Sequence, residues 1–195
     1  MKAFFSIVLA ATLLFSASHS LAAGSEKSFT PRKAPAFTLA NVDGEQIEFP
    51  RRAAEGVDIY FFWATWCPYC KALMPHLQSM LDEYGSNVRV YAMNIREDGD
   101  PKAYLESQGY DFMLMPDADA VAKMYNAMST PGVFVVDSNG MVRMSLYELL
   151  GQKEPGYDKL NNRQKAARRG PWWGAQIRQA VDQVLNPGRR EFARR

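Results

Sequence analysis

Residues Val57 to Trp63 read VDIYFFW, an apolar run broken only by Asp58, and Cys67 and Cys70 follow within seven positions of its end. A stretch this continuous and this aromatic is the pattern of a strand covered on both faces of a sheet. Directly after it, Cys70 to Tyr84 places Leu73, Met74, Leu77, Met80, Leu81 and Tyr84 on one helical face and stops at Gly85. A buried strand that feeds an amphipathic helix commits the chain to a layered architecture, with helices laid on a sheet. Pro75 lies inside that helix and is expected to kink it, because it removes one ladder bond.

The remaining pattern extends the layers. Pro35 to Leu39 alternates, Asn41 to Gly44 supplies turn chemistry, and Gln46 to Phe49 alternates again, which reads as an N-terminal hairpin. Val88 to Ile95 is a second central strand, parallel to the first if the crossover has its usual right hand. Asp100 and Pro101 open a short helix as cap and first residue. A brief strand at Phe112 to Met115 and a short helix at Ala120 to Tyr125 follow. Asn139-Gly140 between two apolar runs marks a hairpin of Val133–Asp137 with Met141–Met144. Residues 146–170 read as a polar connection, and Pro171 to Leu185 as a closing helix with Trp173, Ile177, Ala180, Val181 and Val184 in an apolar stripe. The class is α/β, a mixed sheet flanked by helices with an added N-terminal β-hairpin.

With 195 residues, the length suits one domain with a substantial core. The opening Met1-Lys2, the uncharged run from Phe4 to Phe15 and the small residues before Ala23 read as a signal peptide over 1–23. The apolar run falls short of the roughly 20 residues a spanning helix needs. The expected mature domain is therefore 24–195, in an oxidising compartment, the periplasm in a Gram-negative cell. A net charge of +2 excludes a dominant nucleic-acid binder. Charge is unevenly spread all the same: 24–151 holds 11 basic and 17 acidic residues, and 152–195 holds 11 and 4. Arg163, Lys165, Arg168, Arg169 and the basic tail 186–195 leave two readings open, a solvated face or contact with an acidic partner or anionic membrane surface.

Trp66-Cys67-Pro68-Tyr69-Cys70 sits where the buried strand ends and the helix begins. A thiol at a helix start meets unpaired N–H groups and the positive end of the macrodipole, and both favour the thiolate. Cys67 is thus expected to be an exposed nucleophile of lowered pKa, and Cys70, one turn on and more buried, the sulfur that resolves a mixed disulfide. Pro68 lacks an N–H, and neither it nor Tyr69 offers a cation. Three alternatives are weaker. A zinc site needs two more ligands, and beyond the leader only His76 remains among cysteines and histidines. A purely structural bridge gains little by closing so small a loop, and free core thiols are out of place in an exported protein. No metal and no cofactor is expected. His76 reads as an ordinary helical histidine, and the scattered methionines, among them Met113, Met124 and Met128, as core filling rather than a Cu(I) site.

FFWATWCPYCKALMP, Pro35 to Leu39, and Ser129-Thr130-Pro131 ahead of GVFVVDSNGMV resemble the thioredoxin superfamily, specifically the exported TlpA/ResA-like thiol-disulfide oxidoreductases. The resemblance covers about 34–145 and the last helix. It implies a thioredoxin-like fold, a cis peptide bond at Pro131 facing the sulfurs, and a Thr130 backbone that receives an extended substrate. Trp66, Pro68 and Tyr69 complete the expected substrate contacts. Two departures stand out. The strand carboxylate six residues ahead of the first cysteine is replaced by Phe61, and the glutamate three residues after the second by Leu73. Asp58 and His76 are then the nearest candidates in sequence to take the Cys70 proton. A peroxiredoxin would need threonine at Ala64. The expected function is exchange of disulfides with exported, cysteine-containing proteins and a redox partner protein, as a reductant. Its alternatives are an oxidase or isomerase that assists folding, or a non-catalytic copper- or protein-binding module.

Overall fold

The computed structural model describes residues 29–51, 56–150 and 157–187. The expected signal peptide 1–23 and all but the first two residues of the basic tail 186–195 lie outside them. Along the chain come β1 (Arg32–Lys33), β2 (Phe37–Ala40), β3 (Gln46–Phe49), β4 (Val57–Trp63), α1 (Pro68–Tyr84), β5 (Val88–Asn94), α2 (Pro101–Gln108), β6 (Met113–Met115), α3 (Asp119–Met124), β7 (Gly132–Asp137), β8 (Met141–Ser145) and α4 (Asn162–Leu185). Among the described residues no helix is long and apolar enough to cross a membrane.

Six strands form one sheet in the order β1-β8-β7-β4-β5-β6, and β2 with β3 forms a separate hairpin. β4, β5 and β6 run parallel, β7 pairs antiparallel with β4, and β8 pairs antiparallel with β7. β4 is buried along its whole length, as its composition demands. Strand alternation sorts its side chains cleanly. Val57, Ile59, Phe61 and Trp63 face α1, α2 and α4, together with Cys67 and Cys70. Tyr60 and Phe62 face the β2–β3 hairpin and α3. On this second face Phe37, Phe49, Tyr60, Tyr91 and Tyr125 meet edge to face or stacked, with centroids 4.6–6.1 Å apart.

The closing helix differs from expectation at its start. α4 begins at Asn162, nine residues before Pro171, and absorbs the end of the polar connection. Asn161 caps it: its side chain accepts from Gln164 N at 2.9 Å, and Gln164 returns the bond to Asn161 N at 3.0 Å. The box starts the helix well ahead of Pro171, and packing along α1 carries it past the ladder bond that Pro171 forgoes. Gly170 belongs inside the helix because α1 lies against it; a Cβ there would sit 2.3 Å from the Ala72 carbonyl oxygen. Tyr84 Oη donates to Asp182 at 2.8 Å and Arg178 reaches Ser79 Oγ at 2.7 Å, which fastens the same helix pair by polar contacts. α1 itself runs unbroken through Pro75.

Candidate functional site

The parallel strands β4 and β5 deliver their carboxyl ends to one edge of the sheet, where loops gather and α1 begins. Cys67 is the N-cap of α1, in extended conformation at φ −84 and ψ 106, and Pro68 follows at the first helical position. The Cys67 Sγ accepts from Cys70 N at 3.1 Å, the bond that a serine or aspartate hydroxyl or carboxylate would take at such a cap. Cys67 and Cys70 are joined as a disulfide with their Cα atoms 5.2 Å apart.

One expectation is corrected here. Cys67 is 2% exposed and Cys70 is 0% exposed, so neither sulfur stands open to solvent in the disulfide form. The reason is the environment on both flanks. Cys67 belongs to the buried cluster of Phe61, Trp63 and Trp173, with Tyr69 packed against it. Tyr69 lies 5.9 Å from Trp173, ring to ring. Burial and then a hydrogen bond with Tyr157 push its hydroxyl up to about 12, against the opposing effect of Arg169.

Thr130-Pro131 is a cis peptide bond, as is Phe49-Pro50. Tyr69, Ser129, Thr130, Pro131, Leu150, Tyr157, Arg169 and Trp173 line a groove of about 210 Å³. Three of the sequence-predicted site residues, Tyr69, Thr130 and Pro131, therefore meet in one depression. The far wall comes from the segment read as a polar connection. Arg169, only 6% exposed, stands over the rings of Tyr157 at 4.4 Å, Trp172 at 5.4 Å and Trp173 at 5.9 Å. A cation against aromatic faces keeps a buried guanidinium tolerable.

Trp66 and Pro68 stand apart from that groove. Trp66 is 46% exposed on the other flank, and its indole Nε1 donates to Arg96 O at 2.8 Å. The Arg96 guanidinium lies 5.9 Å from the same ring and reaches the Met128 carbonyl at 3.4 Å, just ahead of Thr130. Beside it, Glu97 gathers five donors. Its Oε2 accepts from Thr65 N at 2.9 Å and Asn94 Nδ2 at 2.6 Å. Its Oε1 accepts from Thr65 Oγ1 at 2.5 Å and from Asp98 N and Gly99 N at 3.0 Å each. Burial alone would raise the Glu97 pKa, but the combined bonds from Thr65, Asn94 and Gly99 hold it down to about 2. No sequence motif marks Glu97; its position just beyond the carboxyl end of a parallel strand is the one signal it carries.

The two candidate proton acceptors are not brought to the sulfurs. Asp58 is three residues from Phe61, so strand alternation turns it to the opposite face, where Arg89 binds it at 2.6 Å across the β4–β5 register. Burial still raises its pKa, against the pull of Arg89 and Arg51. His76 faces α4 at Gly174, where an added Cβ would fall 2.7 Å from the His76 Cβ. Burial and then the Arg178 charge lower its pKa. Phe61 and Leu73 share the buried cluster of the two cysteines and are themselves fully buried.

Comparison with known proteins agrees with this layout. The thioredoxin-like protein YneN of Bacillus subtilis is 27% identical over 117 residues, covering 57% of this chain and 68% of the relative. The thiol-disulfide oxidoreductase ResA of Bacillus subtilis is 28% identical over 142 residues, covering 70% of this chain and 77% of that protein. The fold is shared with a thiol:disulfide interchange protein of Chlorobium tepidum at 20% identity and a TM-score of 0.58, over 81% of this chain and 99% of that one. A family model matches residues 31–145, and the chain belongs to the AhpC/TSA family, with a thioredoxin-like fold.

Proposed function

We propose that the protein is an exported thiol-disulfide oxidoreductase that reduces disulfides in other proteins through Cys67 and Cys70. The Cys67 thiolate attacks a client disulfide, one client sulfur leaves as a thiolate and takes a proton, and a mixed disulfide forms. Cys70 then attacks the Cys67 sulfur, the second client sulfur leaves, and the client carries away two electrons as the Cys67–Cys70 disulfide closes. The client lies extended along Thr130 and Pro131, in the groove that Tyr69 helps to line, with Trp66 and Pro68 on the other side of the sulfurs.

The observation that carries this reading is the placement of Cys67 as the cap of α1 with its sulfur taking the Cys70 N–H. That bond stabilises a thiolate, which makes Cys67 both attacker and leaving group. The reductant direction is our reading, and the residues between the cysteines support it. Pro68 and Tyr69 contribute no cation, so the reduced form gains only modest stabilisation and the disulfide is no strong oxidant. A reduction potential near −270 mV, about that of a general thiol reductant, is expected. The relatives named ResA are thiol-disulfide oxidoreductases, which supports the same chemistry.

The oxidase or isomerase alternative has one observation in its favour. Phe61 and Leu73 stand where the resemblance expects carboxylates that would take the Cys70 proton, and without them the resolving step of a reductase is slower. A potential near −120 mV, about that of a strong disulfide oxidant, would establish that alternative. Cys70→Ser in cell extracts tests both the chemistry and the client: stable mixed disulfides with exported proteins are expected, and none would contradict the reading.

A further inference from the structure

The loop that precedes Cys67 is Ala64-Thr65-Trp66, and it could take many conformations. It is held from one side by a single carboxylate. Glu97 receives both the backbone N–H and the hydroxyl of Thr65, and three further donors from Asn94, Asp98 and Gly99 fix the carboxylate in turn. Asn94 also reaches back to the Trp63 carbonyl at 3.5 Å. Next to these bonds, Trp66 Nε1 anchors on Arg96 O. The fit is close: a Cβ at Gly99 would fall 2.8 Å from Thr65 Oγ1, so one of the two would have to shift. Thr65 and Trp66 are thus pinned immediately before the cap residue. The cap geometry depends on them, since Cys67 N donates to Ala64 O at 3.1 Å while the Cys67 sulfur accepts from Cys70 N.

We propose that Glu97 is a positioning residue for the dithiol: by clamping Thr65 it holds the Cys67 sulfur at the end of α1, where the helix N–H can stabilise the thiolate. This rests on the reading of Cys67 and Cys70 as the reacting pair. Glu97 acts through the loop and not by its charge, and the two roles have opposite signs. A nearby anion by itself disfavours a thiolate, so its removal would make Cys67 more reactive. Loss of a clamp makes Cys67 less reactive, because the sulfur drifts from its donor.

Glu97→Gln keeps the size of the side chain but brings donors where Thr65, Asn94, Asp98 and Gly99 already donate. Thr65→Ala removes one bond and leaves the Glu97 charge in place. Two readouts apply to the full chain: the alkylation rate of reduced Cys67 by iodoacetamide at pH 7, and the equilibrium with glutathione. In that equilibrium two protein thiols are oxidised as glutathione disulfide is reduced to two thiols. Glu97→Gln is expected to slow alkylation about three- to tenfold and to shift the glutathione equilibrium by about the same factor toward the protein disulfide. Thr65→Ala moves both readouts the same way by a smaller factor. Melting curves decide which variant is read: Glu97→Gln where it melts as the parent does, Thr65→Ala alone where it does not. Unchanged or faster alkylation in the variant read overturns the inference. A parent protein that fails to exchange with glutathione overturns the functional reading itself, and with it the role assigned to Glu97.

Discussion

The two flanks of the dithiol are built from different materials. On one side, Thr65, Trp66, Arg96 and Glu97 form a polar clamp of short directional bonds made by loops at the carboxyl ends of β4 and β5. On the other, Tyr69, Tyr157, Arg169 and Trp173 form an aromatic wall that α4 and the segment before it lean against α1. Directional bonds fix where an atom sits, whereas apolar rings decide what can approach it. On the proposed reading, the clamp governs the reactivity of the Cys67 sulfur and the wall governs access to it. This division explains how a site can be reactive while its sulfurs are almost completely covered.

Substitutions can separate the two roles. The largest effect belongs to what both flanks serve. Cys67→Ala should lower insulin disulfide reduction by a factor on the order of a hundred or more, and retained activity would break the comparison at its root. Next is the seating of the wall. Gly170→Val forces a branched side chain against the Ala72 backbone, and should cost about 3 kcal/mol in chemical denaturation through overpacking between the helices. A smaller effect is expected from Tyr157→Ala, which removes the partner of the Tyr69 hydroxyl. It should raise the rate with a bulky protein disulfide about threefold while leaving the thiolate midpoint of Cys67 unchanged. Kinetics with small and large disulfides compared in parallel would show whether the wall is a filter.

A separate effect, on acid stability, sharpens the clamp. Glu97 has a pKa of about 2 when folded, below its ordinary value of 4.5. A depressed carboxylate stabilises the fold fully above the unfolded value, and that contribution is lost as pH falls from about 4.5 through 2. Acid unfolding followed by circular dichroism should show this loss in the parent protein and its absence in Glu97→Gln.

Much of the clamp side's scaffold was legible and much of the wall was not. The strand Val57–Trp63 and a helix opening at the Cys67–Cys70 motif follow from apolar continuity and helix-start chemistry, which are local, although the apolar periodicity starts only at Cys70, two residues after α1 begins. The start of α4 is hidden in the sequence because Gly170-Pro171 looks like a break. Only the Asn161–Gln164 box and the neighbouring Ala72 backbone, a contact from far along the chain, show why the helix passes through it. Asp58 is instructive in another way. Its distance from Phe61 along a strand already puts it on the wrong face, and alternation is a better guide there than nearness in sequence. Cys67 shares its buried cluster with Trp173, against which Tyr69 packs although the two are 104 residues apart in number, and no local pattern announces it. Glu97 is legible only once β4 and β5 are known to be parallel neighbours.

The most direct measurement is the titration of Cys67 in the reduced protein, followed by thiolate absorbance with Cys70→Ser as the single-thiol control. Burial among Phe61, Trp63 and Trp173 opposes ionisation, while the helix N–H on the sulfur favours it. The account predicts that the hydrogen bond and the helix end prevail, with a midpoint about one unit or more below the roughly 8.5 of an unperturbed thiol. A midpoint at or above that value would contradict it.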